Sequence, residues 1–138
     1  MFGPHLTLDL YNCNKERLLD LDFVCKILDE LPDMIDMHKM CPPQVMIQDS
    51  NPDTFDKGGI SGFVLIAESH ISIHTFVAQE YVSIDIFSCK KFDMNKAIDY
   101  LVDKFGAQKA EKHIIFRGKE FPKDLEKAKK IVLKARKV

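Results

Sequence analysis

Three stretches of this chain alternate with a period of two, and together they call for a sheet with two unlike faces. In the first, Leu6, Leu8 and Leu10 oppose His5, Thr7, Asp9 and Tyr11. In the second, Ile71 and Ile73 oppose His70, Ser72, His74 and Phe76. In the third, Val82, Ile84 and Ile86 oppose Tyr81, Ser83, Asp85, Phe87 and Cys89. Successive side chains of a strand point to opposite faces, so each stretch has an aliphatic face and a polar-aromatic one. The aliphatic faces need a cover, which helices can supply. The other face is too polar for a core and too aromatic for plain solvent. It reads as a site-bearing face that meets a second sheet, from another subunit.

The helices are legible from their own period. Val24, Ile27, Leu28 and Leu31 mark an amphipathic helix over Asp20–Leu31, which Pro32 should end or kink, with Met34, Ile35 and Met37 as a candidate extension. Asp93 can cap a second helix through Ala97, Ile98, Leu101, Val102 and Phe105, and Gly106 stops it. Further strands are expected near Val45–Gln48, Gly62–Ala67 and Lys112–Phe116, and Asn51–Gly59 is a loop by composition. The expected fold is α+β: one domain over residues 1–138, a two-layer α/β sandwich whose mainly antiparallel sheet carries helices on one face.

Composition narrows the partners. No apolar run approaches the about 20 residues of a membrane span, and no signal peptide is visible at the N-terminus. Cys13, Cys25, Cys41 and Cys89 form no CxxC pair, which suits a reduced, cytoplasmic protein. Net charge is −1, but residues 1–68 carry 5 basic and 12 acidic side chains and residues 69–138 carry 15 and 9. The basic excess gathers in Pro122–Val138, where Leu125, Ala128, Ile131, Val132 and Ala135 recur at helical spacing. A solvated amphipathic helix explains that tail. Neither zinc spacing, a phosphate loop nor an RNA-binding signature accompanies it, so no metal and no nucleic acid is expected.

The chemistry concentrates around Ser69. It follows Glu68 at the end of an apolar strand, His74 comes five residues later and Cys89 twenty residues later. No Gly-x-Ser-x-Gly elbow surrounds Ser69, and cysteine is not the usual partner of a Ser–His pair, so a hydrolase triad does not fit. A serine at a strained turn can instead attack the preceding carbonyl and turn the Glu68–Ser69 amide into an ester. Loss of the serine α-proton then expels the carboxylate and leaves dehydroalanine, which hydrolyses to a pyruvoyl group. His74 is the candidate base. Ser61 is a candidate donor to the oxyanion of the acyl shift. A pyruvoyl ketone condenses with a substrate amine and accepts the electrons released with CO₂. Protonation of the resulting carbanion suits the Cys89 thiol. Singly, these residues read blandly: a turn serine, a structural strand histidine, a small buried thiol. Their joint occurrence, in order and in local sequence, argues for more, and most of that weight comes from a family resemblance.

That order resembles the prokaryotic S-adenosylmethionine decarboxylases, a pyruvoyl-dependent family, over most of residues 1–118. Gly3-Pro4-His5-Leu6 and Tyr11-Asn12-Cys13 look like the family's first strand. Gly59-Ile60-Ser61-Gly62, Glu68-Ser69-His70 and His74-Thr75-Phe76 look like its central signature. Ile84-Asp85-Ile86-Phe87-Ser88-Cys89 looks like its cysteine strand, and Arg117-Gly118 like the end of its last strand. The resemblance implies self-cleavage into residues 1–68 (the β chain) and 69–138 (the α chain). Ser69 then becomes a covalent pyruvoyl cofactor, His74 and Ser61 serve processing, and Cys89 is the catalytic proton donor. It also implies S-adenosylmethionine as substrate, a role in spermidine synthesis, and a sheet-to-sheet homodimer. Phe55 and Phe76 match the rings that stack adenine, and Glu68 adjoins the same subsite. One departure stands out. The family usually has Pro-Glu after the aromatic residue, its glutamate on the ribose, where this chain has Val77-Ala78-Gln79-Glu80. Glu80 is either a substitute or a surface acid. A pyruvoyl arginine or ornithine decarboxylase, and an unprocessed regulatory subunit, are the alternatives.

Overall fold

The computed structural model describes residues 2–49, 58–121 and 125–135. Its elements run β1 (Gly3–Tyr11), α1 (Lys15–Leu18), α2 (Leu21–Met34), β2 (Gln44–Gln48), β3 (Gly59–Ile66), β4 (Ser69–Phe76), β5 (Tyr81–Ser88), α3 (Met94–Phe105), β6 (Lys109–Arg117) and α4 (Leu125–Ala135). The six strands form one sheet in the order β2-β3-β4-β5-β1-β6. Every neighbouring pair is antiparallel. The α+β expectation therefore holds.

The period-two faces explain the layers. Leu6, Leu8, Leu10, Ile71, Ile73, Val82, Ile84 and Ile86 are all at most 1% exposed, and Ile60, Val64 and Ile66 of β3 join them. Val24, Ile27, Leu28 and Leu31 of α2 and Ala97, Leu101 and Phe105 of α3 complete the same core. Each buried aliphatic side chain contributes about 1.5–3 kcal/mol through removal from water, so this two-layer core is what fixes the sheet. Its opposite face has no helical cover among the described residues.

Local chemistry sets the helix ends. The Asp20 and Asp93 carboxylates accept from the Phe23 and Lys96 N–H groups, each at 3.0 Å, which satisfies first-turn donors. Gly106 ends α3 at φ 62°, in the left-handed region that glycine enters without penalty. Pro32 does not stop α2 at once. It sits in the last turn, and the helix runs two residues beyond it to Met34. The Pro32 carbonyl then accepts from Met37 N–H at 2.9 Å, closing the helix in a short turn. The strands β2, β3 and β6 each begin before the apolar runs do, because ladder bonds extend into polar and glycine residues. The single turn α1 has no counterpart in the apolar pattern. Residues 51–57 of the expected loop lie outside the described residues, and Gly59 opens β3. The basic helix α4 is present, with Leu125 and Ile131 exposed.

Candidate active site

The uncovered face is organised in cross-strand rows. Directly opposed residues of neighbouring strands share a face, so register alone assembles them. One row reads Leu65, His70, Phe87, His5 and Ile115 from β3 to β6. The next reads Phe63, Ser72, Asp85, Thr7 and His113. A third reads Met46, Ser61, His74, Ser83, Asp9 and Glu111. Beyond it come the rings of Phe76, Tyr81 and Tyr11, with successive centroids 5.4 Å apart.

Ser69 opens β4 at the end of the sheet, in register with Ile66 and Ser88 and on the parity of Ile71 and Ile73, so it sits at the edge of the uncovered face and not in its rows. Ile66 pairs with Ser69, so Ala67 and Glu68 alone form the β3–β4 turn. The tightness of that turn falls on Ser69, whose φ is 155°. The other non-glycine residues with positive φ among those described, Asn12, Asp36 and Glu80, lie at 53–57°, in the ordinary left-handed well. Ser69 lies outside it. A non-glycine residue in so sparse a region stores on the order of 1–3 kcal/mol of strain. The carbonyl just before it is also held: the Cys89 N–H donates to the Glu68 oxygen at 2.8 Å. Strain on the serine and a donor on the preceding carbonyl are what an acyl shift requires.

Cys89 follows the last residue of β5, and two features place its backbone. Ser88 is fully buried, donates through Oγ to the Lys90 carbonyl at 2.8 Å and accepts from Lys90 N–H at 3.0 Å, a turn that ends the strand. Gly3 lies against the same turn: a Cβ there would stand 1.9 Å from the Ser88 oxygen. Only glycine lets β1 approach so closely. The Cys89 side chain is half-buried. Cys13 is a different kind of thiol, closed in and pushed up to about 11 by burial and by Glu80.

His74 and Ser61 meet each other, not Ser69. The Ser61 hydroxyl lies 2.9 Å from His74 Nδ1. His74 shares β4 with Ser69 but stands five residues along it, about 16 Å away at the rise of a strand and on the opposite parity. His74 is exposed. When Nδ1 carries the proton and donates to Ser61 Oγ, Nε2 is left as an acceptor on the open face. Within one chain, then, Glu68, Ser69 and Cys89 form one group, and Ser61 and His74 form another.

Around the first group the face is aromatic and cationic. His5 pairs with Asp85 at 2.9 Å, and Arg117 lies over the Phe87 ring, 4.1 Å from its centroid. His70 packs edge-on to Phe87. Burial, then the neighbouring His5, lowers the His70 imidazole below its usual value; Arg117 adds to this and Asp85 opposes it. Around the second group, Tyr81 donates to Asp9, and burial followed by that bond holds its hydroxyl proton on. Glu80 lies in the β4–β5 turn, 3.6 Å from the Lys15 ammonium. Phe55 lies outside the described residues.

The model of the S-adenosylmethionine decarboxylases matches residues 4–118 of this chain. An S-adenosylmethionine decarboxylase proenzyme from Clostridium botulinum (strain Loch Maree / Type A3) is 36% identical over 125 residues, covering 85% of this chain and 95% of its own. The chain belongs to the S-adenosylmethionine decarboxylase family. A second relative in the family, from Geobacillus sp. (strain WCH70), is 34% identical over 116 residues, with 84% and 87% covered. The crystal structure of the adenosylmethionine decarboxylase from Aquifex aeolicus VF5 superposes with a TM-score of 0.67 at 24% identity, over 85% of this chain and 91% of that one, and shows the same fold. The family match ends at residue 118, so α4 lies beyond it.

Two parts of the site escape sequence reading. The Cys89 donor is a backbone group, which residue type does not advertise. His38 bonds the Glu68 carboxylate, yet it sits in a segment without periodicity, and nothing in the spacing marks it.

Proposed function

We propose that this chain cuts itself between Glu68 and Ser69 and then decarboxylates S-adenosylmethionine, using a pyruvoyl group made from Ser69. The observation that carries the reading is the Glu68 carbonyl, held at 2.8 Å by the Cys89 N–H and followed by a serine at φ 155°. Ser69 Oγ adds to the Glu68 carbonyl carbon and gives up its proton. The carbonyl electrons move to oxygen, where the Cys89 N–H meets the new charge. The C–N bond breaks, the Ser69 nitrogen takes a proton, and an ester remains. Departure of the constrained amide relieves the strain. A base removes the Ser69 α-proton, and the Cβ–O bond breaks with Glu68 leaving as a carboxylate. Hydrolysis of the dehydroalanine releases ammonia. Residues 1–68 and 69–138 stay together through the ladders β3–β4 and β1–β5, whose strands lie on different pieces.

The pyruvoyl group supplies a ketone and a conjugated carbonyl that take up the electrons freed with CO₂. The chain's own residues do the rest. Cys89 Sγ, next to the turn, delivers a proton to the substrate carbon. Phe76, backed by Tyr81, offers a planar surface for adenine, with Phe55 as the other wall. Because Phe76 stands at the far end of β4 from Ser69, the ring that serves a given Ser69 would be Phe76 of the partner subunit, and Glu68 borders the subsite formed there. Glu80, one residue from Tyr81, is the acid available to the ribose where Ala78 cannot serve.

The distance between Ser69 and His74 calls for a second copy. Phe63, Leu65, Met46 and Ile115 are 38–64% exposed on the uncovered face. A homodimer with these faces together would cover them and set the partner subunit's His74 and the partner subunit's Ser61 opposite Ser69. His74 of the partner subunit is then the base for the α-proton. Among the described residues no helix is long and apolar enough to cross a membrane, and the four free thiols suit a reduced cytoplasm.

Intact mass under denaturing conditions tests the cleavage. Two chains are expected, the one from residue 69 lacking a free amine, and Ser69→Ala should stay whole. Release of labelled CO₂ from S-adenosylmethionine, arginine and ornithine under matched conditions tests the substrate. A preference for either amino acid would overturn the adenosyl assignment and leave the cleavage chemistry standing.

A further inference from the structure

Glu68 is the one acidic residue buried among those described, at 7% exposure. A buried carboxylate needs partners, and the segment before β2 provides them. Met40 N–H donates to the Leu65 carbonyl at 2.9 Å and Ala67 N–H to the His38 carbonyl at 2.8 Å, so this short strap continues the sheet beside the end of β3. Lys39 pins the strap to α2 through Asp29 at 2.5 Å, and Ser88 Oγ reaches Met37 Sδ at 3.7 Å from the other side. The strap thereby brings His38 to the Glu68 side chain. The His38 N–H donates to Oε1 at 2.7 Å, and the imidazole Nδ1 lies 3.3 Å from both carboxylate oxygens.

We infer that His38 is a positioning residue for the self-cleavage: it draws the Glu68 carboxylate to the strap and away from the Cys89 N–H, so that this donor stays with the Glu68 carbonyl. The inference rests on the cleavage reading above. A carboxylate is a stronger acceptor than an amide carbonyl. Left loose, the Glu68 side chain would compete for the Cys89 N–H and would set a negative charge beside the oxygen on which Ser69 attack creates another. With two donors from His38, the carboxylate is satisfied elsewhere, and the carbonyl keeps its 2.8 Å bond. The imidazole itself is largely outside the core, its side chain 76% exposed. Its removal therefore deletes the 3.3 Å imidazole contact to Glu68 without opening a cavity, and leaves the 2.7 Å bond from the His38 backbone N–H in place.

The test follows freshly synthesised full-length chain by denaturing mass spectrometry over time. His38→Ala, which keeps the backbone donor and loses the imidazole one, is expected to lengthen the half-time of cleavage severalfold. His38→Asn, whose amide N–H can donate to the same oxygens, should restore most of the rate. The thermal midpoint, read in a Ser69→Ala background so that every chain is whole, should be the same with and without the His38→Ala change. Cleavage of His38→Ala at the wild-type rate would overturn the inference while the cleavage reading stands. Equal slowing of both variants with lowered midpoints would overturn it too, by making the role structural. A wild-type chain that stays whole would sink the cleavage reading and this inference with it.

Discussion

The two ends of β4 are built for different work. At the Ser69 end the backbone is constrained on every side: a two-residue turn, a φ of 155°, a ladder partner in Ser88 and a donor on the preceding carbonyl. At the His74 end the ladder is regular and the side chains carry the interest, with Ser61 and His74 bonded to each other on an exposed surface. In the proposed function the first end supplies the electrophile and its oxyanion donor, while His74 stands too far along the strand to serve it as a base. The second holds a base and a hydroxyl but nothing to act on. A strand of eight residues cannot fold back on itself, so one chain cannot unite them. On the function proposed above, the unit of the chemistry is therefore a pair of chains.

Substitutions at each end should therefore fail in different ways. Ser69→Ala should abolish cleavage altogether, leaving one full-length mass. His74→Ala should slow formation of the blocked C-terminal chain by about 10²–10⁴. If that base takes the α-proton, the ester should accumulate, and hydroxylamine should cut it. Cys89→Ala should still cleave, because the donor to Glu68 is the backbone N–H and survives the change. Its decarboxylation should fall by about 10²–10⁴ per pyruvoyl group, as loss of a general acid typically does; wild-type turnover would move the proton donor elsewhere. Phe76→Ala should raise KM for S-adenosylmethionine about tenfold, in line with the roughly 0.5–1.5 kcal/mol of a stacked pair plus lost apolar contact, with little effect on cleavage.

Much of this is readable in the residues. The alternation around Leu6–Leu10, Ile71–Ile73 and Val82–Ile86 places the sheet and its covered face, because burial enforces a period that composition displays. Asp20, Asp93 and Gly106 mark helix ends through local side-chain and backbone chemistry. Ser69, Glu68 and Cys89 stand out by type and order, and the structure gathers them. What stays hidden is three-dimensional. The distance from Ser69 to His74 depends on their sharing one straight strand, whereas the apolar run suggests a serine that ends a strand and a histidine on the next. The role of the Cys89 backbone depends on the Ser88 turn and on the space left by Gly3. The grip of His38 on Glu68 joins residues thirty positions apart across a strap that carries no pattern of its own.

The division of labour along β4 can be tested by mixing the two defects. Ser69→Ala cannot be cut but carries His74; His74→Ala carries Ser69 but lacks the base. Each alone should yield no blocked C-terminal chain at the normal rate. Co-expressed and purified together through separate tags, the pair should convert the His74→Ala chain to the blocked form at a rate near that of wild type, as denaturing mass spectrometry would record. A His74→Ala chain that remains unprocessed in such a mixed dimer would contradict a site shared between subunits.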